Sequence, residues 1–307
     1  MTARIRENDP RLQDRVKRNI NRIQNLPALS DVVAKIVALA EDPKVSGQEV
    51  AEIVGRDQAM VTAILKIVNS PFYGLNRRVS SINHAIVLLG YRTIRNIALS
   101  TSLVNTFSGP EGDARFDRKR FWTHAVCTAA AAKLVARRLR DTDSEEAFLA
   151  GLIHDMGRIV FSHYFGPEFT AVLTLWSERK MDLLEAERVV LGMDHAEAGA
   201  LVARKWNFPA AVAEAIGAHH DATQAAEVSE LATCVYLANQ LTQIGEERLS
   251  QPSEAAPAGP PSAELLEAID ADLRERFELT PESLEQLLAE LEGEMEKART
   301  FLDALNV

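Results

Sequence analysis

Histidine and aspartate side chains that could bind a metal are concentrated in the middle of this sequence. In GLIHDMGRIV, residues 151–160, His154 and Asp155 interrupt an otherwise apolar run. A buried polar side chain is costly unless it is hydrogen-bonded or coordinated. Further histidines lie within or at the end of other apolar segments: His124, His195, His219 and His220. We predict that these side chains converge on one cavity, joined either by a shared metal or by a mutual hydrogen-bond network. Such a ligand set suits iron, manganese or zinc.

The segments that must position these side chains have the hydrophobic period of α-helices. In LSDVVAKIVALAED, residues 29–42, apolar residues recur at spacings of three and four, and the pattern stops before Pro43. Residues 57–70 and 91–107 repeat it. No segment alternates polar and apolar residues with a period of two, as a half-buried strand would. The sequence therefore predicts an all-α fold.

Two changes in composition divide the chain. Turn-rich SGPEGDA, residues 108–114, separates an N-terminal block from the histidine-bearing block, and proline-dense SQPSEAAPAGPPSAE, residues 250–264, cannot continue a helix. We therefore predict a two-lobed helical bundle with further helices after it. Its expected parts are a polar N-terminal helix or arm (1–19), an N-terminal helical lobe (20–110), a helical bundle (116–247), a Pro/Ala/Ser linker (248–263) and an acidic C-terminal helical pair (264–307).

The second C-terminal helix carries an apolar seam. After Thr280 and Pro281, apolar residues alternate in steps of four and three: Leu284, Leu288, Leu291, Met295, Ala298, Leu302 and Leu305. Such a seam is too apolar to remain in water, because burial contributes about 25 cal/mol per Å². It predicts packing on the parent domain or, alternatively, a homodimer formed through this helix.

Charge and composition exclude several classes of protein. The net charge is −10, and residues 251–307, with 14 acidic and 4 basic residues, account for all of it. No broad basic field remains, so no nucleic-acid partner is predicted. The N-terminus lacks the apolar core of a secretory signal, and no run reaches the roughly 20 apolar residues of a membrane span. With only two cysteines, the sequence predicts a cytoplasmic protein without a disulfide framework or a membrane partner.

The order of the histidine motifs resembles that of a known superfamily. His124, then His154-Asp155, then His195, then His219-His220 is similar to the ligand series of the HD superfamily of metal-dependent phosphohydrolases. The resemblance implies that Asp155 bridges two metal ions, which activate water for attack on a phosphoester. It also implies that Asp155 and Arg158 would be the catalytic residues if the chain is an enzyme.

The N-terminal half makes the resemblance more specific. LPALSDVVAKIVALAEDP, AEIVGRDQAMVTAILKIVNSPFYG and SSINHAIVLLGYRTIRNIALS, at residues 26–43, 51–74 and 80–100, resemble the HDOD domain, the HD-related output domain of bacterial signalling proteins. Such domains are regarded as regulatory or protein-binding modules, often without demonstrated hydrolase activity. The resemblance implies an HD-like helical core preceded by a helical lobe.

The chain departs from the hydrolase pattern at positions that matter for metal binding. The last ligand of the superfamily is an aspartate, and Asn239 takes its place in CVYLANQL. An amide oxygen can coordinate, but it lacks the charge that holds a dication tightly. Arg158 stands where active relatives commonly have lysine, and it could still meet a phosphate. The Gly-Tyr-Pro signature of cyclic-di-GMP phosphodiesterases is absent. We therefore expect weak or partial metal occupancy, with Asn239 as a weak ligand.

Two functions remain open at this stage. The first is a regulatory HDOD protein that binds a signalling partner or a ligand, and the second is a metal-dependent phosphohydrolase acting on a nucleotide or cyclic nucleotide. The degenerate ligand set favours the first. A partner surface is predicted in NSPFYGLNRRVSS, residues 69–81, where an aromatic pair precedes two arginines in a turn: Phe72, Tyr73, Arg77 and Arg78.

Overall fold

The helices of this protein follow the apolar periodicity of its sequence. The computed structural model describes residues 10–26, 29, 31–39, 45–107, 113–139, 142–250, 266, 269 and 271–305. Every regular element in these ranges is an α-helix, which confirms the all-α prediction. The helices before the turn-rich segment are α1 (Pro10–Gln24), α2 (Asp31–Ala38), α3 (Gly47–Val54), α4 (Gln58–Val68), α5 (Ile82–Leu89) and α6 (Tyr91–Thr106).

The histidine-bearing block and the tail contain the remaining helices. The block comprises α7 (Arg118–Ala136), α8 (Ser144–Ile153), α9 (Met156–Tyr164), α10 (Gly166–Arg179), α11 (Leu183–Leu191), α12 (His195–Lys205), α13 (Ala210–Ala218), α14 (Ala222–Val228) and α15 (Glu230–Ser250). The tail contributes α16 (Ala271–Arg276) and α17 (Pro281–Leu305). None of the helices within the described ranges is both long and apolar enough to cross a bilayer.

Short polar side chains fix the ends of the helices. Ser46 and Glu49 form a capping box at the start of α3, in which each side chain binds the other residue's backbone N–H. Asn69 closes α4: its amide nitrogen donates to the carbonyls of Leu65 at 2.7 Å and Val79 at 2.8 Å, and its amide oxygen accepts from the Val79 N–H. Asn69 therefore has the structural role that an Asn-Ser-Pro helix end suggests.

The centre of the histidine-bearing block is a close pair of helices, α7 and α8. Half of the buried residues of α7 are alanine, and α8 meets this face at Gly151. A Cβ at Gly151 would lie 2.8 Å from the Thr128 carbonyl oxygen and 2.9 Å from the Ala129 Cα, so no larger residue fits there. Because α7 carries His124 and α8 leads directly into His154, this close approach brings two of the site histidines together.

Helix α6 joins the N-terminal helices to this block. It is buried along most of its length and packs against α2, α4 and α8. The buried Asn96 side chain donates to the Glu145 backbone carbonyl at 2.9 Å and to its carboxylate at 3.0 Å, and Glu145 also pairs with Lys133 of α7. The N-terminal helices are thus attached to the block through apolar packing and through a buried polar network.

The seam of α17 is buried against the same chain. Its described members are 4% exposed or less: Leu284, Leu288, Leu291, Met295, Ala298 and Leu302. Helix α17 packs on α7, α15 and α4, and the Phe301 ring lies 5.2 Å from that of Phe72. The side chain of Leu305 lies outside the described residues. The described part of the seam is therefore buried within the chain, which is the first of the two arrangements expected for it.

Two helices extend across expected divisions of the chain. Helix α1 continues through Gln24, past the division expected at residue 19, and packs on α11 and α12 of the histidine-bearing block. Helix α15 continues through Ser250, three residues into the expected linker. Residues 251–263 of that linker, and 108–112 of the turn-rich joint, lie outside the described residues.

Candidate metal centre

The predicted ligand residues come together at the meeting point of six helices. His124 projects from α7, His154 and Asp155 form the turn between α8 and α9, and His195 is the first residue of α12. The pair at the end of α13 and the amide of α15 complete the set: His219, His220 and Asn239. His154, Asp155, His195, His219 and Asn239 are buried, whereas His124 and His220 are partly exposed. These polar groups share a single region of the core.

Asp155 is at the centre of the cluster. Its Oδ1 lies 3.0 Å from Nε2 of His195, 3.4 Å from Nε2 of His219 and 3.7 Å from Nε2 of His154. Its other oxygen, Oδ2, accepts a hydrogen bond of 2.8 Å from Arg158. One carboxylate thus faces several imidazoles with one oxygen while an arginine holds the other oxygen in place.

The imidazoles are oriented by acceptors on their outer nitrogens. His154 Nδ1 donates to the Gly151 carbonyl at 2.7 Å, and His219 Nδ1 donates to the Ile216 carbonyl at 2.6 Å. Because a carbonyl can only accept, the hydrogen of each neutral ring is on Nδ1 and the lone pair is on Nε2. In both rings, that lone pair is directed toward Asp155.

Two glutamates perform the same function for the other rings. Glu187 accepts from both the backbone N–H and Nδ1 of His195, each at 2.8 Å. Glu246 lies 3.0 Å from Nδ1 of His124. Carboxylates that hold the outer nitrogen of a metal-ligating histidine are a regular feature of metal sites.

These glutamates were not predicted from the sequence, although each has a weak signal there. Glu187 replaces an apolar residue on the stripe Leu183–Glu187–Leu191 of α11, where the spacing of four places it on the buried side. Glu246 lies seven residues after Asn239, with Gln243 between them, so the three polar residues share one face of α15. A charged residue on a buried stripe is therefore the feature that could have identified them.

The geometry tests whether a metal fits. Ligand atoms of Asp155, His195, His219 and His220 all lie within 4.8 Å of one another, and so do those of His124, His154 and Asp155. In the described part of the chain, Nε2 of His154 and of His219 are buried and have no hydrogen-bond partner. Leaving these nitrogens unpaired is costly, and a cation in each of the two ligand groups would satisfy them. The residues fit two adjacent cation positions that share Asp155.

The electrostatics of the metal-free cluster are dominated by burial and by Asp155. Burial lowers the pKa of His154 to about 3 and, together with the nearby His219 and His195, that of His220 to about 2. Burial acts in the same direction on His195, but Glu187 and Asp155 outweigh it and raise the pKa of His195 to about 10. Burial would raise the pKa of Asp155, yet His154, Arg158 and His195 hold it well below its usual value.

His195 lies between the central carboxylate and another ring. Its Nε2 is 3.0 Å from Asp155 Oδ1 and 2.8 Å from Nε2 of His220. Because the raised pKa of His195 favours its protonated form, binding of a metal to the same nitrogen is linked to proton release.

A neutral amide lies beside the cation position formed by His124, His154 and Asp155, here called the first position. Asn239 Oδ1 is 3.0 Å from Nε2 of His124, and Gln243 donates to the same oxygen at 3.3 Å. The structure thus brings Asn239 to the cluster. Among the described residues, His124, His154 and Asp155 are the nitrogen and carboxylate ligands grouped at this position.

A cavity of about 520 Å³ opens over the cluster. Its base includes Asp155, His195 and His220, and its wall includes the partly exposed Arg158. Phe116 and the 40% exposed Trp176 line its outer part, with Arg120 near them. A ligand of small-molecule size can therefore reach the cluster from the surface.

The predicted partner surface is only partly open. Phe72 and Tyr73 are half-buried, their rings are 4.9 Å apart in an edge-to-face arrangement, and Phe72 packs on Phe301 of α17. Arg77 and Arg78 are exposed. The aromatic pair therefore serves the packing of α17, while the two arginines stay accessible.

The helical core with a His-Asp cluster at its centre defines this molecule as a protein of the HD type. The chain belongs to the HDOD domain family, which matches residues 26–222, more than half of its length. Six of the predicted ligand residues lie within the matched segment: His124, His154, Asp155, His195, His219 and His220.

Two solved structures share this fold over most of its length, and one further protein matches in sequence. An HDOD domain protein with unknown function from Geobacter sulfurreducens is 26% identical, with a TM-score of 0.76, and the match covers 96% of this chain and 98% of that one. A candidate phosphohydrolase from Shewanella amazonensis SB2B is 23% identical, with a TM-score of 0.74, over 92% and 97% of the two chains. An uncharacterized protein from Treponema pallidum (strain Nichols) is 29% identical over 209 residues, which make up 67% of this chain but only 40% of that relative.

Proposed function

We propose that this chain is a cytoplasmic bacterial signalling protein that holds a divalent transition metal and acts by binding a partner protein or a regulatory ligand. The observation that carries the proposal is the pair of buried, unpartnered Nε2 atoms of His154 and His219, both directed at Asp155. Burying these imidazoles without partners costs more free energy than burying apolar side chains of similar size, so packing alone does not account for them. Iron, manganese or zinc suits the imidazole and carboxylate ligands.

The two cation positions are expected to differ in affinity. The position formed by Asp155, His195, His219 and His220 offers one carboxylate and three imidazoles as ligands. The position beside Asn239 lacks the second carboxylate, and affinity for a dication depends on the number of charged ligands. We therefore expect about one tightly held metal, with the position beside Asn239 weakly occupied.

A second candidate function, metal-dependent phosphohydrolysis, is favoured by the cavity and by Arg158. A bound metal would supply Lewis acidity toward a phosphate ester. Arg158 could bind a phosphate oxygen at the cavity wall with the amino groups that Asp155 does not use, and guanidinium geometry suits phosphate. Trp176 and Phe116 could exclude water and contact a flat base. Asn239 argues against efficient turnover, because it leaves the charge around the first metal incomplete.

Metal analysis distinguishes the proposal from a metal-free core. Protein purified without added metal should contain iron, manganese or zinc, and His219→Ala should lose most of it. The matched control is His84→Ala, because His84 is an exposed histidine far from the cluster in sequence. Equal metal content in the wild type and His219→Ala, or none in the wild type, would refute the metal centre.

A phosphodiesterase assay with bis(p-nitrophenyl) phosphate distinguishes the two functions. We expect little turnover by the unmodified chain with added Mn²⁺. Robust hydrolysis that His219→Ala abolishes and His84→Ala retains would instead establish the second function.

A further inference from the structure

The C-terminal end of α11 is capped by another helix. The last four carbonyls of an α-helix have no partner within the helix. In α11, the Gly192 N–H satisfies only the Arg188 carbonyl, at 3.0 Å. The carbonyls of Val189, Val190 and Leu191 face α1, whose side chains supply the missing donors.

Two residues of α1 make these bonds. Arg15 donates through Nη1 to the carbonyls of Val189 and of Val190, the latter at 3.1 Å. Asn19 donates to the Leu191 carbonyl at 2.8 Å, and its side chain is buried. The arginine also places a cation at the negative end of the α11 dipole. Helix α1 therefore terminates a helix that is more than 170 residues away in the sequence.

Helix α11 in turn orients a ligand of the cluster. Glu187, one turn before the capped carbonyls, holds the backbone N–H and Nδ1 of His195 with one oxygen, Oε2. The neighbouring Arg188 binds Asp194 at 2.5 Å, and Asp194 caps the helix that His195 begins. Two pairs of side chains therefore connect the end of α11 to His195 and to the residue before it.

We infer that Arg15 and Asn19 are positioning residues of the metal centre, and that docking of α1 regulates its affinity by fixing the direction of His195. The inference rests on the proposed function, since it assigns a control to the same site. Residues 10–24 precede the segment that matches the HDOD domain, so this control lies outside that domain. A partner that displaces α1 would release the end of α11 and loosen the ligand.

Asn19→Asp is the sharpest test, because it keeps the shape of the side chain and removes the N–H donor. The probe is Co²⁺ alone, added to the full chain, with affinity and the visible absorption spectrum as readouts. We expect roughly three- to tenfold weaker binding and a changed spectrum, in keeping with the loss seen when groups behind a ligand are altered. Arg15→Lys, which keeps a cationic donor, should retain most of the wild-type affinity.

The matched control is Arg22→Ala. Arg22 is also an arginine of α1, but it binds the Tyr164 carbonyl at 2.8 Å and Glu168 at 2.6 Å, away from α11. The Arg22→Ala variant should bind Co²⁺ with the same affinity and the same absorption spectrum as the wild type. Equal effects of Asn19→Asp and Arg22→Ala would show general loosening of α1 and would overturn the inference.

Hydrogen exchange of the metal-free protein makes the result independent of metal binding. Asn19→Asp should accelerate exchange in the segment 187–197 relative to wild type and Arg22→Ala. If the wild type binds no Co²⁺ the proposed function fails, yet the exchange data still report on the capping. Wild-type Co²⁺ binding that Asn19→Asp leaves unaltered, with unchanged exchange, would overturn the inference alone.

Discussion

Gly157 packs directly against the backbone of His195. A Cβ at Gly157 would lie 2.0 Å from the His195 carbonyl oxygen and 2.8 Å from its Cα, which no side chain can tolerate. The glycine two positions after Asp155 therefore allows α9 and α12 to approach closely, and this approach sets the distance between Asp155 and His195.

Gly157→Ala should consequently damage both stability and metal binding. The added methyl forces α12 away from α9, and overpacking of a core typically costs about 1–3 kcal/mol. Urea unfolding and Co²⁺ titration measure the two effects. Gly166→Ala is the control, because a Cβ there would meet no atom within 4 Å, and it should change stability by about 0.5 kcal/mol or less. Normal Co²⁺ affinity in Gly157→Ala would contradict this account of the site.

Asn239→Asp should strengthen metal binding. A carboxylate beside His124 restores the charge that the first cation position lacks, and we expect on the order of tenfold higher affinity for Mn²⁺ or Zn²⁺. Titration against a chromophoric chelator measures it. Gln243→Glu adds the same charge one helical turn away and should have a smaller effect. Equal gains in metal affinity from both variants would indicate that added negative charge near the site, rather than direct coordination by residue 239, strengthens binding.

Glu187→Gln should make the stability of the metal-free protein depend on pH in a defined direction. Glu187 helps to raise the pKa of His195 to about 10, from an unfolded value near 6.5. A raised pKa contributes stability that is fully present below the unfolded value and is lost as the pH rises through the folded value. The cost of Glu187→Gln should therefore be greatest near pH 6 and should diminish toward pH 10.

Urea unfolding with a chelator present, at several pH values, measures that cost. Glu185→Gln is a suitable control, since Glu185 lies on the same helix and has no bond to a histidine among the described contacts. A cost for Glu187→Gln that is constant with pH would contradict the assigned ion pair.

Leu288→Ala should test the docking of α17. Leu288 is fully buried, and truncation of a buried leucine costs about 2–5 kcal/mol. Gln286→Ala, at an exposed position of the same helix, should change stability by about 0.5 kcal/mol or less. Thermal unfolding measures both. Equal melting temperatures for the two variants would indicate that α17 contributes nothing to the folded chain.

Much of the fold could be read from local patterns. The spacing of apolar residues predicted helices because one face of each helix must be buried. The ends of helices were predicted from residues that terminate or begin them, such as Asn69 and Pro281. The order of the histidines, and their apolar surroundings, identified the candidate ligands. The same reasoning found Asn239, because that position departs from the ligand series that the other residues match.

The remaining features depend on contacts between distant segments. Sequence spacing predicted a buried seam in α17, but the surface that covers it is set by how α7, α15 and α4 pack together. Likewise, nothing local to Arg15 and Asn19 indicates that they cap α11, and nothing local to Glu246 indicates that it faces His124. The pKa of His195 is decided in the same way, by Glu187 and Asp155 on other segments. Periodicity indicates which face of a helix is buried, whereas tertiary packing decides which group pairs with a buried polar side chain. The sequence therefore determined the helices and the types of ligand, and only the folded chain decided the geometry of the ligands.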